Sequence, residues 1–420
     1  MNCNALLRHF SLMACAALPL IAWSQPAGNE PVPHITADNW YWGPANRWSW
    51  MNTRRLFPSA NLSRGSGPVA ALPQAHQDLS NITFDDPISH SRLTVAKMLE
   101  STYTDGFLVL KDGRVVTEQY FNGLQPNSPH LLMSMTKSVV GTLTGILIAR
   151  GQIRAEAQVT EYLPELKGTV FDNAAVRNLL DMTVAAKLDD DPYDAIDRAS
   201  GWLPPKANSA PGLRAFLRTL NHKDGQHGRK FLYLDPSPQV MCWIIERVTH
   251  KDFAQVLQDE IWSKLGAEND AYVLLDHYQE AYTTPGINIT LRDMGRFGQM
   301  MVQDGSYNAQ QIVPRAWVAD IRAGGDPQAW LAAKQGRPPE PEMPGHAAGS
   351  YRDYWWMADR KCGRYTAIGL GEQLMIVDPI AHMVIVKFSS TPDAEAGERL
   401  TLTAYYAADA IIRALSGHGC

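Results

Sequence analysis

Two groups of alternating hydrophobic runs stand near opposite ends of the chain. In the first group, GFLVL is followed by KDGR and VVTEQYF, which together span residues 106–121. An Asp-Gly pair between two β-rich runs is a strong signal for an antiparallel hairpin. In the second group, after residue 353, the runs are YWWMADR, RYTAIGL, QLMIVDP and HMVIVKFSS. Their spacing predicts the strands of a meander.

Hydrophobic positions between these two groups recur with helical periodicity. After the loop GLQPNSPH, Val139, Leu143, Ile146 and Leu147 recur at helical spacing, and Gly151 follows as a C-cap. This pattern predicts a buried helix that begins at the segment SMTK. Further helical patterns are VRNLLDM, VMCWIIERV, FAQVLQDEIWSKLG and LRDMGRFGQMMV, and the chain closes with TLTAYYAADAIIRAL.

Strands near both ends with helices between them predict an α/β (α+β) layered fold, in which helices flank a central, mostly antiparallel sheet. We expect a discontinuous sheet domain formed by residues 96–151 and 346–420. Residues 152–345 are predicted to form an inserted, mainly helical domain. Residues 25–95, rich in Trp, Pro, Asn and Gly, are predicted to be an irregular arm over the core.

The first residues predict export. Arg8 precedes an apolar stretch from Phe10 to Trp23, and small residues precede Gln25. We therefore expect residues 1–24 to be a signal peptide cleaved after Ser24, and the protein to be periplasmic or secreted. About 14 apolar residues are fewer than the roughly 20 that a spanning helix needs, so we expect no stable membrane span after cleavage. A lipoprotein box ending at Cys15 is a less favoured alternative, because the apolar stretch continues beyond it.

The composition of the chain excludes some classes of protein. The chain has 38 basic and 43 acidic residues and a net charge of -5, so it lacks the dense positive field that binds nucleic acid. After signal removal it would keep Cys242, Cys362 and Cys420, and three widely spaced cysteines are not a disulfide framework. The sequence leaves open whether Cys362 and Cys420 pair. Cys242, inside VMCWII, is interpreted as a small buried hydrophobe.

Ser134 and Lys137 form a candidate nucleophile and base. A serine hydroxyl is a weak nucleophile until a base accepts its proton during attack. In Ser134-Met135-Thr136-Lys137, the i, i+3 spacing places the amine and the hydroxyl on the same helical face. The spacing alone is weak evidence, since chance would produce on the order of one such match in this chain. Its position at the start of a buried helix strengthens it, because helix N-terminal N–H groups can face an oxyanion.

Several segments resemble the serine β-lactamase and penicillin-binding-protein superfamily. They are DGFLVLKDGRVVTEQYF, HLLMSMTKSVVGTLTGILIARGQI, VTEYLPEL and VRNLLDMT, and later FLYLDPSPQVMCWIIERVT, ITLRDMGRFGQMMVQDG and IGLGEQLMIVDP. The likeness is greatest to its branch of 6-aminohexanoate-dimer hydrolases and family VIII-type carboxylesterases, and it extends from about Asn46 onward. It implies a β-lactamase/transpeptidase-like fold and a serine hydrolase that forms an acyl-enzyme on a small ester or linear amide, without a metal or organic cofactor.

The resemblance also implies roles for individual residues. Ser134 matches the nucleophile of the family, Lys137 its lysine and Tyr233 the tyrosine of its second motif. A phenol at this place relays a proton to the leaving group or activates the deacylating water. Without the family match, Tyr233 would be interpreted as a core tyrosine before an amphipathic helix.

The third family motif matches the segment from Gly369 to Gln373. The resemblance implies that the N–H groups of Leu370 and Ser134 form the oxyanion hole, with Gly369 and Gly371 lining the substrate site. The alternative is a glycine-rich strand edge that lets another element approach closely.

Two departures from the family pattern bear on activity. The Lys-Thr-Gly of β-lactamases is absent, so the cation expected to bind a β-lactam carboxylate is missing. Where the family has Tyr-x-Asn or Tyr-x-Ser, this chain has Tyr233-Leu234-Asp235. Either the Asp235 carboxylate lies in the substrate site and favours a protonated lysine, or the loop shifts so that Ser237 faces the site.

An acidic run, KLDDDPYDAIDR, follows the LLDMT segment. Amide-hydrolysing relatives hold their substrate in this region with a tyrosine and an aspartate, which makes Tyr193 a candidate substrate contact. The alternative is a solvated loop, since charge runs usually face water. The run lacks the pattern of a calcium loop, and no HExxH or paired Cys/His motif occurs in the chain, so we predict no metal site.

Two rival functions remain open at this point. One is a β-lactamase or D-Ala-D-Ala peptidase, which the missing Lys-Thr-Gly disfavours. The other is a non-catalytic binding protein on the same fold, for which Asp235 and Glu372 are the unusual residues. The sequence leaves substrate identity and oligomeric state open.

Overall fold

A computed structural model describes most of the chain. The described residues are 34–187, 192–336, 342–347, 349–358 and 361–420, with the backbone alone for 192 and 193. The predicted signal peptide and the Cys15 alternative lie outside the described residues. Among the helices of the described part, none has both the length and the apolar character that crossing a membrane requires.

The chain alternates between short strands and helices. The strands are β1 (Ser59–Leu62), β2 (Thr83–Asp85), β3 (Arg92–Thr94), β4 (Thr104–Lys111), β5 (Arg114–Tyr120), β6 (His130–Leu131), β7 (Ala271–Leu274), β8 (Ile287–Ile289), β9 (Ser306–Tyr307), β10 (Gln310–Gln311), β11 (Ser350–Arg352), β12 (Trp355–Met357), β13 (Tyr365–Gly369), β14 (Gln373–Asp378) and β15 (Met383–Ser389). The helices are α1 (Asn46–Ser49), α2 (Val95–Ser101), α3 (Met135–Ala149), α4 (Val159–Tyr162), α5 (Val176–Leu180), α6 (Pro192–Ser200), α7 (Leu213–Leu217), α8 (Pro236–Thr249), α9 (Phe253–Glu260), α10 (Leu291–Val302), α11 (Arg315–Ala323), α12 (Pro327–Lys334) and α13 (Ala394–Ser416).

A seven-stranded antiparallel sheet joins the two ends of the chain. Its order is β11-β12-β13-β14-β15-β4-β5. The junction is the pairing of β15 with β4, in which Val386 lies opposite Leu108. The predicted hairpin is confirmed as β4 and β5, and the predicted meander as β12 to β15. The predicted layered fold class is therefore confirmed.

Each face of this sheet carries its own hydrophobic core, because neighbouring residues of a strand point to opposite faces. Leu108 and Leu110 of β4 belong to the larger core, which includes residues of α3, α8 and α10. Phe107 and Val109 belong to the second core, with residues of α2 and α13. Helices cover both faces, and the nucleophile candidate lies at the start of α3 on the larger core.

A second sheet connects three regions that the sequence pattern treats as separate. Its order is β1-β7-β8-β6, so one strand comes from the arm, one from the segment before α3 and two from the middle of the chain. The pattern predicts a mainly helical middle and an irregular arm, and it misses these strands. The reason is that β7 and β8 have only four and three residues, too few for alternation to be detected. The proposed domain limits remain predictions.

Two glycines let other elements approach α3 very closely. A Cβ atom on Gly141 would lie 2.1 Å from the carbonyl oxygen of Asp353, and one on Gly145 would lie 2.2 Å from the ring of Trp317. The Ser138 hydroxyl also donates to the Tyr354 carbonyl at 2.7 Å. The turn between β11 and β12 and the helix α11 therefore fix the position of α3.

We predict that Gly145→Ala will destabilise the protein, because the added methyl group overlaps the Trp317 ring. Overpacking of this kind typically lowers the free energy of unfolding by about 1–3 kcal/mol. Urea denaturation of both proteins measures the effect. A Cβ atom on the exposed Gly67 would have no other atom within 4 Å, so Gly67→Ala is the matched control and should unfold like the wild type. Equal stability of the Gly145 variant and the wild type would contradict the packing argument.

Candidate active site

Ser134 lies at the end of a tight turn between β6 and α3. Met133, immediately before it, has a φ of 49°, in the left-handed region that non-glycine residues rarely adopt. Hydrogen bonds hold the approach to the turn: the N–H of Leu131 donates to the Trp50 carbonyl and that of Leu132 to the Ile287 carbonyl. Strained backbone of this kind clusters at active sites. The turn places Ser134 at the N-terminus of a buried helix.

The structure brings Lys137 into contact with Ser134. The Lys137 amine donates to the Ser134 hydroxyl oxygen at 2.7 Å and to the Thr284 carbonyl at 3.3 Å. The lysine side chain is completely buried. The i, i+3 spacing on α3 therefore produces a sheltered hydroxyl and amine pair.

Asp235 is the third group at the amine. Its Oδ1 lies 2.9 Å from the Lys137 nitrogen, and its backbone carbonyl accepts a hydrogen bond from the Thr284 hydroxyl. Of the two alternatives for this loop, the contacts favour Asp235, because Ser237 is buried in the first turn of α8 and its hydroxyl has no hydrogen-bond partner among the described residues. The carboxylate favours the charged ammonium, whereas burial and the N-terminal end of α3 disfavour it.

Tyr233 packs its ring against the same amine. The Lys137 nitrogen lies 4.9 Å from the ring centroid, a cation–π contact. The ring stacks on Trp356 with 5.5 Å between centroids and meets Tyr351 edge-on at 6.0 Å. The three residues that the family match singled out, Ser134, Lys137 and Tyr233, therefore lie together although Tyr233 comes from a distant loop.

The third motif lies beside the nucleophile. A Cβ atom on Gly369 would lie 2.4 Å from the Leu132 carbonyl oxygen, two residues before Ser134, and one on Gly371 would lie 2.4 Å from the Trp50 ring. Close approach thus explains both glycines and also brings Leu370 next to the start of α3. Within the described part of the chain, the backbone N–H groups of Ser134 and Leu370 donate to no backbone carbonyl.

The remaining predicted site residues differ in outcome. Glu372, which had suggested a non-catalytic site, is buried and forms an ion pair with Lys387 on β15 at 2.9 Å. The charge of Glu372 is therefore balanced by Lys387 inside the fold. The backbone of Tyr193 belongs to α6, but its side chain lies outside the described atoms, so its contact with substrate stays a prediction.

Sequence reasoning missed a buried carboxylate close to the site. Asp197 on α6 accepts a hydrogen bond from the Tyr282 hydroxyl at 2.6 Å, and Tyr41 of the arm also bonds to it. Burial raises the pKa of Asp197 to about 7, and the neighbouring charges of Asp235 and Asp194 act in the same direction. Asp197 belongs to the acidic run for which a solvated loop was the alternative, and no periodicity in that short run marked it as buried.

A cavity of about 180 Å³ lies beside the aromatic rings that pack around Tyr233, and Ser134, Lys137 and Tyr233 themselves do not line it. Phe231 and Tyr351, which pack around Tyr233, form part of its wall, together with Trp330, Arg177 and Asp181. We assign no ligand to it, since Asp181 is already paired with Arg352 and Asp326 caps the first turn of α12. Among the described residues, no three His, Cys, Asp or Glu side chains are grouped so that they could hold a metal ion.

Comparison with known proteins relates most of the chain to a family. The family model described as Beta-lactamase matches residues 93–408. A protein named 6-aminohexanoate-dimer hydrolase, from Paenarthrobacter ureafaciens, is 34% identical over 375 residues, which cover 88% of this chain and 90% of that protein.

Solved structures show the same fold. One is titled putative 6-aminohexanoate-dimer hydrolase from Bacillus anthracis, with a TM-score of 0.81, 28% identity, and coverage of 94% of this chain and 99% of that one. Another, EstCE1, a hydrolase with promiscuous acyltransferase activity, has a TM-score of 0.57 and 15% identity over 76% of this chain and 96% of its own. At that identity the likeness concerns the fold alone.

We predict that Asp197 makes stability fall as pH rises. Its folded pKa of about 7 lies above the ~3.9 of an unfolded chain, so the folded protein keeps a proton that the unfolded chain has lost. Stability therefore decreases between about pH 4 and pH 7. From pH 5.5 to 8.5 the wild type should lose about 2 kcal/mol more than Asp197→Asn.

Urea denaturation at the two pH values tests this difference. The pKa of Asp78, on the surface, is lowered by its hydrogen bond with Ser80, so it stays ionised throughout this range. Asp78→Asn should therefore behave like the wild type. The prediction is wrong if Asp197→Asn and the wild type lose the same stability between pH 5.5 and 8.5.

Proposed function

The chain belongs to the β-lactamase family and is a serine hydrolase, and we propose that it hydrolyses a small ester or linear amide through an acyl-enzyme on Ser134. The observation on which this rests most is the 2.7 Å contact between the Ser134 hydroxyl and the fully buried Lys137 amine. A hydroxyl beside a base, sheltered from water, is the arrangement that nucleophilic catalysis needs.

In the first step, the Ser134 oxygen attacks the carbonyl carbon while its proton passes to the Lys137 nitrogen. The amine must be neutral at that moment, so the ion pair with Asp235 works against the reaction, whereas burial works for it. Activity should accordingly rise with pH as the lysine loses its proton. The balance between these two effects sets the pH range of the enzyme.

Two further groups complete the proposed reaction. The N–H groups of Ser134 and Leu370 would hold the negative oxygen of the tetrahedral intermediate, a role that fits their position and their lack of backbone acceptors within the described residues. Tyr233 would then pass its phenolic proton to the leaving group, and the adjacent Lys137 ammonium, formed in the first step, would stabilise the resulting phenolate. In deacylation, water would attack the acyl carbon and give a proton to the Tyr233 phenolate, and the departing Ser134 oxygen would take the proton back from Lys137, which restores both groups.

The proposed substrate is a small ester or linear amide, with Gly369 and Gly371 along its path and Tyr193 as a further contact. A relative with 34% identity is named for the hydrolysis of the 6-aminohexanoate dimer, a linear amide. The third-motif segment Gly369-Leu370-Gly371 has no cation that would bind the carboxylate of a β-lactam. This favours esters and amides over β-lactams.

We also propose that the protein acts outside the cytoplasm. Cys362 and Cys420, which the sequence left unassigned, form a disulfide that ties the C-terminus to the segment before β13. Disulfides persist mainly in oxidising compartments, which supports the predicted signal peptide and a periplasmic or secreted location. Cys242 is buried and unpaired, as expected of a small hydrophobe.

We predict that a fluorophosphonate probe will label the wild type and will not label Ser134→Ala. The same substitution should lower the hydrolysis of p-nitrophenyl butyrate by at least about 10³-fold, because the acyl-enzyme can no longer form. Gel fluorescence and absorbance measure the two effects. Ser416→Ala, at the end of α13 and far from the site, should be labelled and active like the wild type. Labelling of Ser134→Ala would exclude Ser134 as the nucleophile.

We predict that Asp235→Asn will shift the acidic limb of kcat/KM to lower pH. Removing the carboxylate 2.9 Å from the Lys137 nitrogen disfavours the ammonium, so the neutral amine exists at lower pH. A pH profile of p-nitrophenyl butyrate hydrolysis, with thermal stability as a check on folding, measures the shift. Lys97→Met, which removes an exposed lysine paired with Glu100, should leave the profile unchanged. An Asp235→Asn limb at the wild-type position or higher would contradict this account.

A chromogenic cephalosporin distinguishes the rival β-lactamase function. Because the cation of the Lys-Thr-Gly motif is missing, we predict that the cephalosporin will be turned over far more slowly than p-nitrophenyl butyrate under the same conditions. Faster turnover of the cephalosporin would reverse the proposed preference.

A further inference from the structure

The turn that contains Leu370 has a backbone conformation that its sequence does not favour. Leu370, Gly371 and Glu372 connect β13 to β14, because Gly369 pairs with Gln373. Gly371 has a φ of 73° and Glu372 a φ of 69°. Glycine adopts this left-handed region readily, but a glutamate does so against the repulsion of its own Cβ. Another interaction must therefore hold Glu372 in place.

A buried ion pair provides that interaction. The Glu372 Oε1 lies 2.9 Å from the Lys387 nitrogen, and both side chains are at most 1% exposed. The amine also reaches the Thr102 carbonyl at 3.3 Å and the Ser389 hydroxyl. Burial raises the pKa of Glu372 and lowers that of Lys387, and the attraction between the two charges opposes both shifts, so each group depends on the other for its charge. Moving Glu372 away would leave a buried ammonium without its counter-ion, which is strongly unfavourable.

The neighbouring Gln373 anchors the same turn from its other side. Its amide nitrogen donates to the Gly371 carbonyl at 3.2 Å and to the Ser389 carbonyl at 2.5 Å, and its amide oxygen accepts from the Ser389 N–H at 3.2 Å. The amide nitrogen of Gln373 also reaches the Leu370 carbonyl at 3.4 Å. Because peptide units are planar, the bonds to the Leu370 and Gly371 carbonyls restrain two successive peptide planes of the turn. Lys387 and Ser389 both belong to β15, so one strand holds the whole turn.

We propose that the Glu372–Lys387 ion pair is a positioning device that keeps the Leu370 N–H directed at the oxyanion. The inference rests on the proposed function, since it assumes a tetrahedral intermediate on Ser134. The two side chains lie beneath the turn and pair with each other, so they act through Leu370. A displacement of about 1 Å at a reacting centre can cost on the order of 10²-fold in rate, and loss of an oxyanion donor costs about 10²- to 10³-fold.

Two variants separate positioning from simple stabilisation. Glu372→Gln leaves the Lys387 charge buried without a counter-ion, so Tm should fall. The double variant Glu372→Gln/Lys387→Met removes both charges, and most of the lost Tm should return, because a buried pair can often be replaced by neutral groups at little cost. In both variants kcat for p-nitrophenyl butyrate should fall about 10- to 100-fold, with KM within about 2-fold of the wild type.

A matched ion pair at the other end of the same strands serves as control. Arg364 and Asp378 are both buried, with 3.2 Å between their charged atoms, and Asp378 ends β14 far from the turn. Asp378→Asn should lower Tm and leave kcat of the folded protein unchanged. A double variant with wild-type kcat would overturn the positioning role, and so would an equal loss of kcat in Asp378→Asn.

Ser134→Ala, assayed in parallel, separates a failure of the proposed hydrolase mechanism from a failure of the proposed positioning role. If Ser134→Ala keeps its activity, the proposed function fails whatever the Glu372 variants do. If Ser134→Ala is inactive and the double variant is fully active, the positioning role alone fails. A persistent loss of kcat in the stable double variant, together with an inactive Ser134→Ala, supports both.

Discussion

The complete burial of the Lys137 amine is the constraint on which the site depends. An ammonium or amine inside a protein needs polar partners, and four contacts of Lys137 come from three parts of the chain. Ser134 lies at the start of the same helix, Thr284 lies before β8, and Asp235 and Tyr233 belong to the loop before α8. If the fold did not bring these segments together, the buried amine would lack the hydrogen-bond and ion-pair partners that they supply. The pairing of the proposed nucleophile with its proposed base is therefore a consequence of tertiary structure, which the local i, i+3 spacing only makes possible.

Close packing around α3 keeps that arrangement in place. Glycines at positions 141 and 145 admit the β11–β12 turn and the Trp317 ring, and Gly369 admits the carbonyl of Leu132. The second sheet connects β6, which precedes the proposed nucleophile Ser134, to strands of the arm and of the middle region. The arm also brings Trp50 beneath Gly371 and Tyr41 to Asp197. It is thus part of the site's framework, although its sequence suggested only an irregular cover.

The sequence pattern correctly predicted those elements that are determined by interactions between residues close together in the chain. The Asp-Gly hairpin, the meander and the helix after Ser134 are set by residues close in the chain, and all three are found. The family motifs located Ser134, Lys137 and Tyr233. The partners of Glu372 and Asp197 were not predictable in this way, because Lys387 and Tyr282 are distant in sequence and a charged residue gives no local sign of burial. The disulfide was undecided for the same reason, since a separation of 58 residues does not fix a pairing.

The ion pairs that Asp235 and Glu372 form with buried lysines explain these two unusual residues without any loss of function. Glu372 forms an ion pair with a lysine inside the fold, whereas Asp235 contacts the lysine that is neutral in the proposed mechanism. In our proposals the first arrangement holds the geometry of a turn and the second influences the charge of Lys137. Buried carboxylates near a reactive centre commonly reduce stability, and the raised pKa values of Asp197 and Glu372 are the sign of that cost. A non-catalytic binding protein would have no reason to keep such a costly set of charges around one hydroxyl and one amine.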